Sequence, residues 1–518
     1  MPVRMIEPTP APAPRVPREA LFAALMALAF GAVVLWQVSV HELWRDEWNP
    51  WLIARHSASL LDLLANKRYE AHPALWYLLL YAVSRFAAAP LAMQLLHAAI
   101  AVLGAWTLLR FAPFTRGERA LLIAGYFLLY EYAVIARNYA VAVLLLWAFC
   151  AAVARRPRSL LPALFLGLLA WSHALAAILA GLFALWWLGP GDAARRPSGW
   201  RRIAAIALLL AACAGAAWDA APPSDGGVGR WHFGWDTDHV AGVLGALADA
   251  LVPLTPLRPT YWNHHVLDPW PWTKAAVGVL LAALATFVCA ERRRTLALWA
   301  ASLLALLAFW YFRHGSAFRH FGFLFVALVA AAWLARSQLP AGPSRWAGAR
   351  RITFRLLLLL QLPGAMFALA ADAEYPFSAC GAAAKEVQRL GLQDLPLVGE
   401  TDVATAGVAG ALDRPIYFVR GQRSTFFVLF DQERRQKPGD REIVWSARDL
   451  AAREGRDALL IMTRPLRQKG ATVRRVATVP AGAVEDEGYI LYRVSARPPL
   501  TRSARSRGRT AMSARLAR

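Results

Sequence analysis

Residues 41–77 read HELWRDEWNPWLIARHSASLLDLLANKRYEAHPALWY and begin where the first long apolar run of the chain ends. Within a few positions the stretch sets Arg45, Asp46 and Glu47 among Trp44, Trp48 and Trp51. The adjacent acids allow two readings. As chemistry they are a general base, or a metal ligand, for transfer to a hydroxyl, because tryptophans around a carboxylate exclude water and raise its pKa. As structure they are the negative first turn of a helix, with Asn49 and Pro50 following. Further on, Glu70 and His72 precede Pro73, a residue suited to open a helix, and lie beside Lys67 and Arg68. That set fits a lipid phosphate; it also fits a plain interfacial turn with snorkelling cations.

The surrounding chain explains where this stretch sits. Of 518 residues, 58% are hydrophobic and 18% charged, and the apolar residues form runs long enough to cross a bilayer. This is an α-helical polytopic membrane protein. Its formal charge of +23 would suggest nucleic acid in a soluble protein, but many arginines stand at the ends of apolar runs, where they set topology and meet lipid headgroups. The partner is the bilayer, with no nucleic acid. Cys150, Cys213, Cys289 and Cys380 are far apart, without disulfide or zinc-type spacing. Abundant alanine and arginine with little lysine suggest a GC-rich bacterial genome, which together with the apolar runs predicts a place in a bacterial inner (plasma) membrane.

Counting from a cytoplasmic, basic segment 1–19, the hydropathy predicts eleven spans, at about 20–40, 91–110, 120–136, 138–154, two short ones within 159–188, 203–219, 273–290, 295–312, 320–336 and 352–371. Residues 73–89 are apolar enough to cross. A crossing there would turn the later arginine clusters to the wrong side, so they belong to the first outer loop, 41–90. A second outer loop, 220–272, is rich in Trp, Pro and His, and its part 238–252 reads as a helix lying on the membrane surface. After the membrane domain, 20–371, short apolar stretches (PLVGE, IYFV, REIVWS, ALLIMT, GYILYRV) alternate with helix-like ones over 372–497, predicting a small extracytoplasmic α/β domain. A basic tail, 498–518, follows. In that domain GETDVATAGVAG lacks the spacing of a phosphate-binding glycine loop. His264, His265 and Asp268 suggest either a metal site or part of a cover over a substrate groove, and His173 reads as a polar group at the outer end of a span.

Four pieces occur in an informative order. They are the acid pair after the first span, the helix start His72-Pro-Ala-Leu75, YEYAVIARNYA at 130–140, and FRHFGF at 318–323. Their order resembles the GT-C superfamily of membrane glycosyltransferases, in the branch of protein O-mannosyltransferases and aminoarabinose transferase (glycosyltransferase family 39-like). The resemblance implies a polyprenyl-phosphate-linked sugar donor and a hydroxyl acceptor on a glycan, lipid or protein, joined with inversion on the extracytoplasmic side. By position it implies Asp46 as base and Glu47 as its orienter or as ligand of a divalent metal. Arg137 and Tyr139 would line the donor pocket, and His72, Arg68, Arg319 and His320 would hold the carrier phosphate. Glu70, Lys67 and Arg45 stand nearby. Cations on one face of the sugar and a carboxylate on the other meet the needs of an oxocarbenium-like transition state. The chain departs from the pattern at Gln94, where many members carry arginine, and at Ala74 and Ile135. A flippase of lipid-linked saccharides, or a non-catalytic assembly subunit, is the alternative reading.

Overall fold

Inside a hydrocarbon layer no water is available to backbone N–H and C=O groups, so an apolar run must close its hydrogen bonds within itself as a helix. The structure, a computed structural model, describes residues 16–190, 196–226, 231–313, 317–338, 344–434, 437–467 and 472–496. Residues 1–15 of the expected N-terminal segment and all of the 498–518 tail lie outside the described residues.

The first helix, α1 (Val16–Val40), is followed by three short ones, α2 (Arg45–His56), α3 (Leu60–Lys67) and α4 (Leu75–Ser84). α4 has ten residues, a rise of about 15 Å against a hydrocarbon core of about 30 Å. Of residues 73–89, only this short helix is regular, and by length alone it falls short of a crossing. α5 (Leu91–Phe111) is full-length. The expected span 120–136 is not one helix: α6 (Arg116–Ala124) ends before Gly125, a π-turn occupies Phe127–Glu131, and the backbone is irregular up to Asn138, where α7 (Tyr139–Arg155) starts. Broken helix is tolerated at membrane depth where protein buries it, and every residue from Tyr130 to Tyr139 is buried.

Two short helices, α8 (Leu161–Ala170) and α9 (Ala174–Leu188), turn at Trp171, Ser172 and His173. Next come α10 (Trp200–Ala220), α11 (Thr237–Leu251), α12 (Pro271–Cys289), α13 (Arg293–Arg313) and α14 (Phe318–Arg336). α15 (Ala347–Leu359) and α16 (Leu362–Glu374) are two halves of one expected span. Among the described residues seven helices, with α15 and α16 taken together, are long and apolar enough to cross a membrane. The difference from eleven lies in α7, α8 and α9, which are apolar but shorter, and in the broken 120–136 run. The chain is a multi-pass membrane protein. α11 is a helix as expected, and protein encloses its second half: Gly245 to Leu251 are buried, and it packs on α12 and α14. Gly278 of α12 permits that approach, because a methyl there would crowd the Leu244 carbonyl.

The remainder forms an α/β domain of α17 (Cys380–Arg389), β1 (Leu397–Gly399), α18 (Asp402–Ala411), β2 (Ile416–Phe418), β3 (Arg423–Thr425), α19 (Asp440–Arg453), β4 (Ala458–Met462), β5 (Val473–Val479) and β6 (Tyr489–Val494). The sheet order is β3-β2-β1-β4-β6-β5, with β1 parallel to both β2 and β4. REIVWS, which reads as a strand in sequence, lies in α19, because Ile443, Ala447 and Ala451 recur every four residues and share one buried helical face. The domain sits on the first loop. Trp48 of α2 lies against Gly407 and Gly410 of α18, where added methyl groups would overlap its ring. Arg45 pairs with Asp486 at 2.7 Å, Arg55 with Asp413 at 2.9 Å, and Asn49 exchanges two hydrogen bonds with the Val428 backbone.

α14 is the most enclosed of the long helices, buried continuously from Phe321 to Ala335. Its first turn meets the π-turn at Gly322, where any side chain would overlap the Phe127 ring and the Tyr132 hydroxyl. That hydroxyl donates to the Arg319 carbonyl at 2.6 Å. Gly322→Val is expected to cost about 1–3 kcal/mol through overpacking, read as an earlier thermal unfolding transition in detergent.

Candidate active site

The site is built at the end of the bundle that carries the α/β domain, beginning with the turn from α1 into α2. Glu47 lies in the first turn of α2 and folds back to accept the Trp44 N–H at 3.2 Å, satisfying a donor that the helix start leaves open. Its other oxygen accepts the Ala136 N–H at 2.6 Å, next to Arg137. His41 Nε2 bonds Glu47 at 3.1 Å while its Nδ1 bonds Asp372 of α16 at 2.8 Å, and Gln37 donates to Asp372 as well. The side chains of His41, Glu47 and Asp372 have no exposure. Burial alone would pull the imidazole down from its ordinary 6.5; Asp372 and Glu47 outweigh it and hold His41 protonated, up to about 10. Both oxygens of Glu47 are thus engaged within the protein.

Asp46, one residue earlier, points the other way. Its carboxylate receives Arg319 Nη2 at 3.1 Å and keeps 24% exposure, and Arg137 donates to its backbone carbonyl. The rise in pKa expected from the tryptophans does not occur. Burial works upward, but Arg319, Arg137 and Arg45 prevail and hold Asp46 below the usual carboxylate range. A neighbouring carboxyl that burial does push up is Glu70, to about 7, with Arg137 opposing and Asp46 reinforcing the shift. Glu70 accepts from Asn49 at 2.5 Å and from the Tyr77 hydroxyl at 3.2 Å.

Around this pair lies a group of polar side chains with unused atoms. The His72 and His173 rings are 5.2 Å apart, His173 lies 5.3 Å from Tyr139 and 5.9 Å from His320, and Tyr139 lies 6.3 Å from His320. His72 Nδ1, His173 Nε2, the Tyr139 hydroxyl, Arg137 Nε and Arg319 Nε are all buried with no hydrogen-bond partner. Native interiors leave few such atoms unpaired, so their concentration in one place marks a position for a polar ligand. Burial, with Arg137 close by, takes His72 down to about 3. In this state it is a neutral imidazole.

Three of the predicted cations are engaged elsewhere. Lys67 is fully enclosed and bonds the Asp219 carboxylate at 2.5 Å, the Asp219 carbonyl at 2.9 Å and the His72 carbonyl at 3.2 Å. Arg68 bonds the Ala221 carbonyl at 3.3 Å and covers the Trp218 ring. Arg45 faces Asp486 and Glu487 of the α/β domain. Each shapes the loop without reaching into the cluster. Conversely, His173, Asn49 and Tyr77 join the site and were not predicted for it. His173 caps α9, its Nδ1 accepting the Leu175 N–H at 3.0 Å, and its place at a short-span turn was the available signal. No group of three or more His, Cys, Asp or Glu residues is gathered for a metal among the described residues. His265 bonds the Val252 carbonyl and the Leu267 N–H, while His264 lies near Asp268 and Glu485.

A broken-helix bundle with this loop at one end and an α/β domain beside it is similar in fold to solved membrane-protein structures. The similar solved structures are particular enzymes. ArnT from Cupriavidus metallidurans in the apo state aligns over 93% of this chain and 98% of that one, at 14% identity and a TM-score of 0.50. The same protein bound to undecaprenyl phosphate aligns over the same shares at 14% identity and 0.49. Arabinofuranosyltransferase AftD from Mycobacteria aligns over 94% of this chain and 40% of that one, at 13% identity and 0.41. No family model matches the chain, and no curated protein sequence matches it.

The His41 brace makes a measurable prediction. His41→Ala leaves two carboxylates buried without their cation and is expected to lower stability by about 3–5 kcal/mol, read from denaturant or thermal unfolding. Because the folded pKa of His41 lies above its unfolded value, its contribution is complete below about pH 6.5 and is lost as the pH rises through about 10. The alkaline loss of stability is expected to be shallower in His41→Gln.

Proposed function

We propose that the protein is an integral-membrane glycosyltransferase that moves a sugar from a polyprenyl-phosphate carrier to a hydroxyl acceptor, with inversion, at the extracytoplasmic face. The observation that carries this reading is the set of unpaired buried donors and acceptors on Arg137, Arg319, Tyr139, His72 and His173, gathered around one partly exposed carboxylate, Asp46. The GT-C fold supports it. The arginine clusters between spans set the orientation.

In the step itself, the acceptor oxygen forms a bond to the anomeric carbon while the bond from that carbon to the carrier phosphate oxygen breaks. The bonding pair leaves with the phosphate, and the acceptor proton passes to the Asp46 carboxylate. Arg137 and Arg319 stabilise the charge growing on the phosphate. His72, His173 and Tyr139 donate hydrogen bonds to its oxygens, with His320 beside them. Glu47 holds Asp46 and Arg137 in register without taking the proton. Glu70, titrating near neutrality beside Asp46, receives the proton onward, and Asn49 and Tyr77 orient it. The apolar walls of the bundle take the prenyl chain.

Transfer from a radiolabelled polyprenyl-phosphate sugar tests the reading. Asp46→Asn is expected to lower turnover by roughly two orders of magnitude or more at unchanged abundance; full activity in that variant would sink the assignment. A flippase would instead move the labelled lipid across the bilayer with no acceptor and no covalent product. The wild-type rate is expected to rise as the pH passes about 7, where Glu70 ionises, and Glu70→Gln is expected to flatten that limb of the profile.

A further inference from the structure

Asp46 and Arg319 hold each other, Oδ2 to Nη2 at 3.1 Å. In the reaction above they serve different partners: the carboxylate must face the acceptor hydroxyl and the guanidinium the carrier phosphate. We propose that Arg319 is a latch between the two. The arriving phosphate draws it from Asp46, and only then is the carboxylate released to act as base, so that donor binding precedes activation of the acceptor. This inference rests on the reading of the donor as a phosphate-linked sugar.

Several features of Arg319 support the exchange. Its pair with Asp46 uses one arm of the guanidinium, and its Nε is buried without a partner, so the contact leaves donor capacity unfilled. A phosphate offers more acceptor oxygens in a geometry that takes two arms at once. The pair is also partly open to solvent, at 15% and 24% side-chain exposure, and an ion pair in that setting is weak enough to be displaced. The guanidinium lies over the rings of Trp44 and Trp262, 5.1 Å and 5.7 Å from their centroids, a fixed aromatic surface on which it turns without losing its cation–π contact. Its backbone stays anchored throughout by the Tyr132 hydroxyl. Among the described residues Asp46 has no comparable second partner: Arg137 grips its backbone carbonyl, and Arg319 donates the hydrogen bond to its side chain.

Coupling of this kind is reciprocal. If phosphate frees Asp46, removing the Asp46 charge must strengthen phosphate binding. A short-chain polyprenyl monophosphate titrated into detergent-solubilised full-length protein reads this directly. Asp46→Asn is expected to bind it roughly five-fold tighter than wild type, at the lower end of known couplings, and Asp46→Ser is expected to do the same should the amide variant fold poorly. Simple relief of repulsion between the carboxylate and the phosphate would also tighten binding, so the same change is made in an Arg319→Gln background. The latch predicts that the gain disappears there; a gain that persists overturns it, as do equal affinities for wild type and Asp46→Asn. Failure of wild type and every variant to bind the monophosphate is a different outcome, and it overturns the phosphate-linked reading of the site itself.

Discussion

A protonated imidazole held between two carboxylates, all three without exposure, fixes the geometry of this protein. His41 joins the end of α1 to α16 through Asp372 and to the start of α2 through Glu47. Glu47 then reaches the Ala136 N–H in the irregular segment ahead of α7. Three distant parts of the chain, the turn from α1 into α2, the segment at Ala136 and the end of α16, therefore converge on one small charged group. Asp46 and Arg137 are the neighbours in sequence of two of these points, so their positions follow from the brace. The arrangement has a net negative charge of one when the histidine is protonated. It is tolerable in a buried place because nearly every oxygen meets a donor: of the four, only Asp372 Oδ1 lacks a protein partner.

A division of labour between adjacent acids follows. In sequence Asp46 and Glu47 are indistinguishable, and both suit either chemistry or helix capping. On a helix, neighbours point about 100° apart. One acid therefore turns into the protein and becomes structure, while the other turns toward the cluster of unpaired polar atoms. The same geometry separates the cations. Lys67, Arg68 and Arg45 hold the loop to α10 and to the α/β domain, leaving Arg137 and Arg319 for the site.

The helical scaffold was legible because apolar run length and arginine placement are direct consequences of bilayer physics. The helix at 75–84 was recoverable from its apolar run and the proline ahead of it. The break within 120–136 was not, since Phe127, Leu128 and Leu129 of the π-turn are as apolar as a span requires and the turn packs against Gly322 and Phe318 of α14. Asp46, Arg137, Tyr139, His72, Arg319 and His320 were named from order and resemblance, and the structure gathers them. His173 escaped because its surroundings depend on the rings of His72, Tyr139 and His320, from three separate parts of the chain, which no local pattern records. The direction of the Asp46 shift was also invisible in sequence: the tryptophans are present, but Arg319 is 273 positions away.

The contact between Asn49 and Val428 carries a consequence for how the two halves of the protein can vary. Asn49 reaches Glu70 on one side and the α/β domain on the other, and what it grips in that domain is the peptide group of Val428, through both its N–H and its carbonyl. A backbone handle is indifferent to the side chain it belongs to. The side chains around residue 428 are therefore free to differ while the hold on Asn49, and through it on Glu70, stays the same.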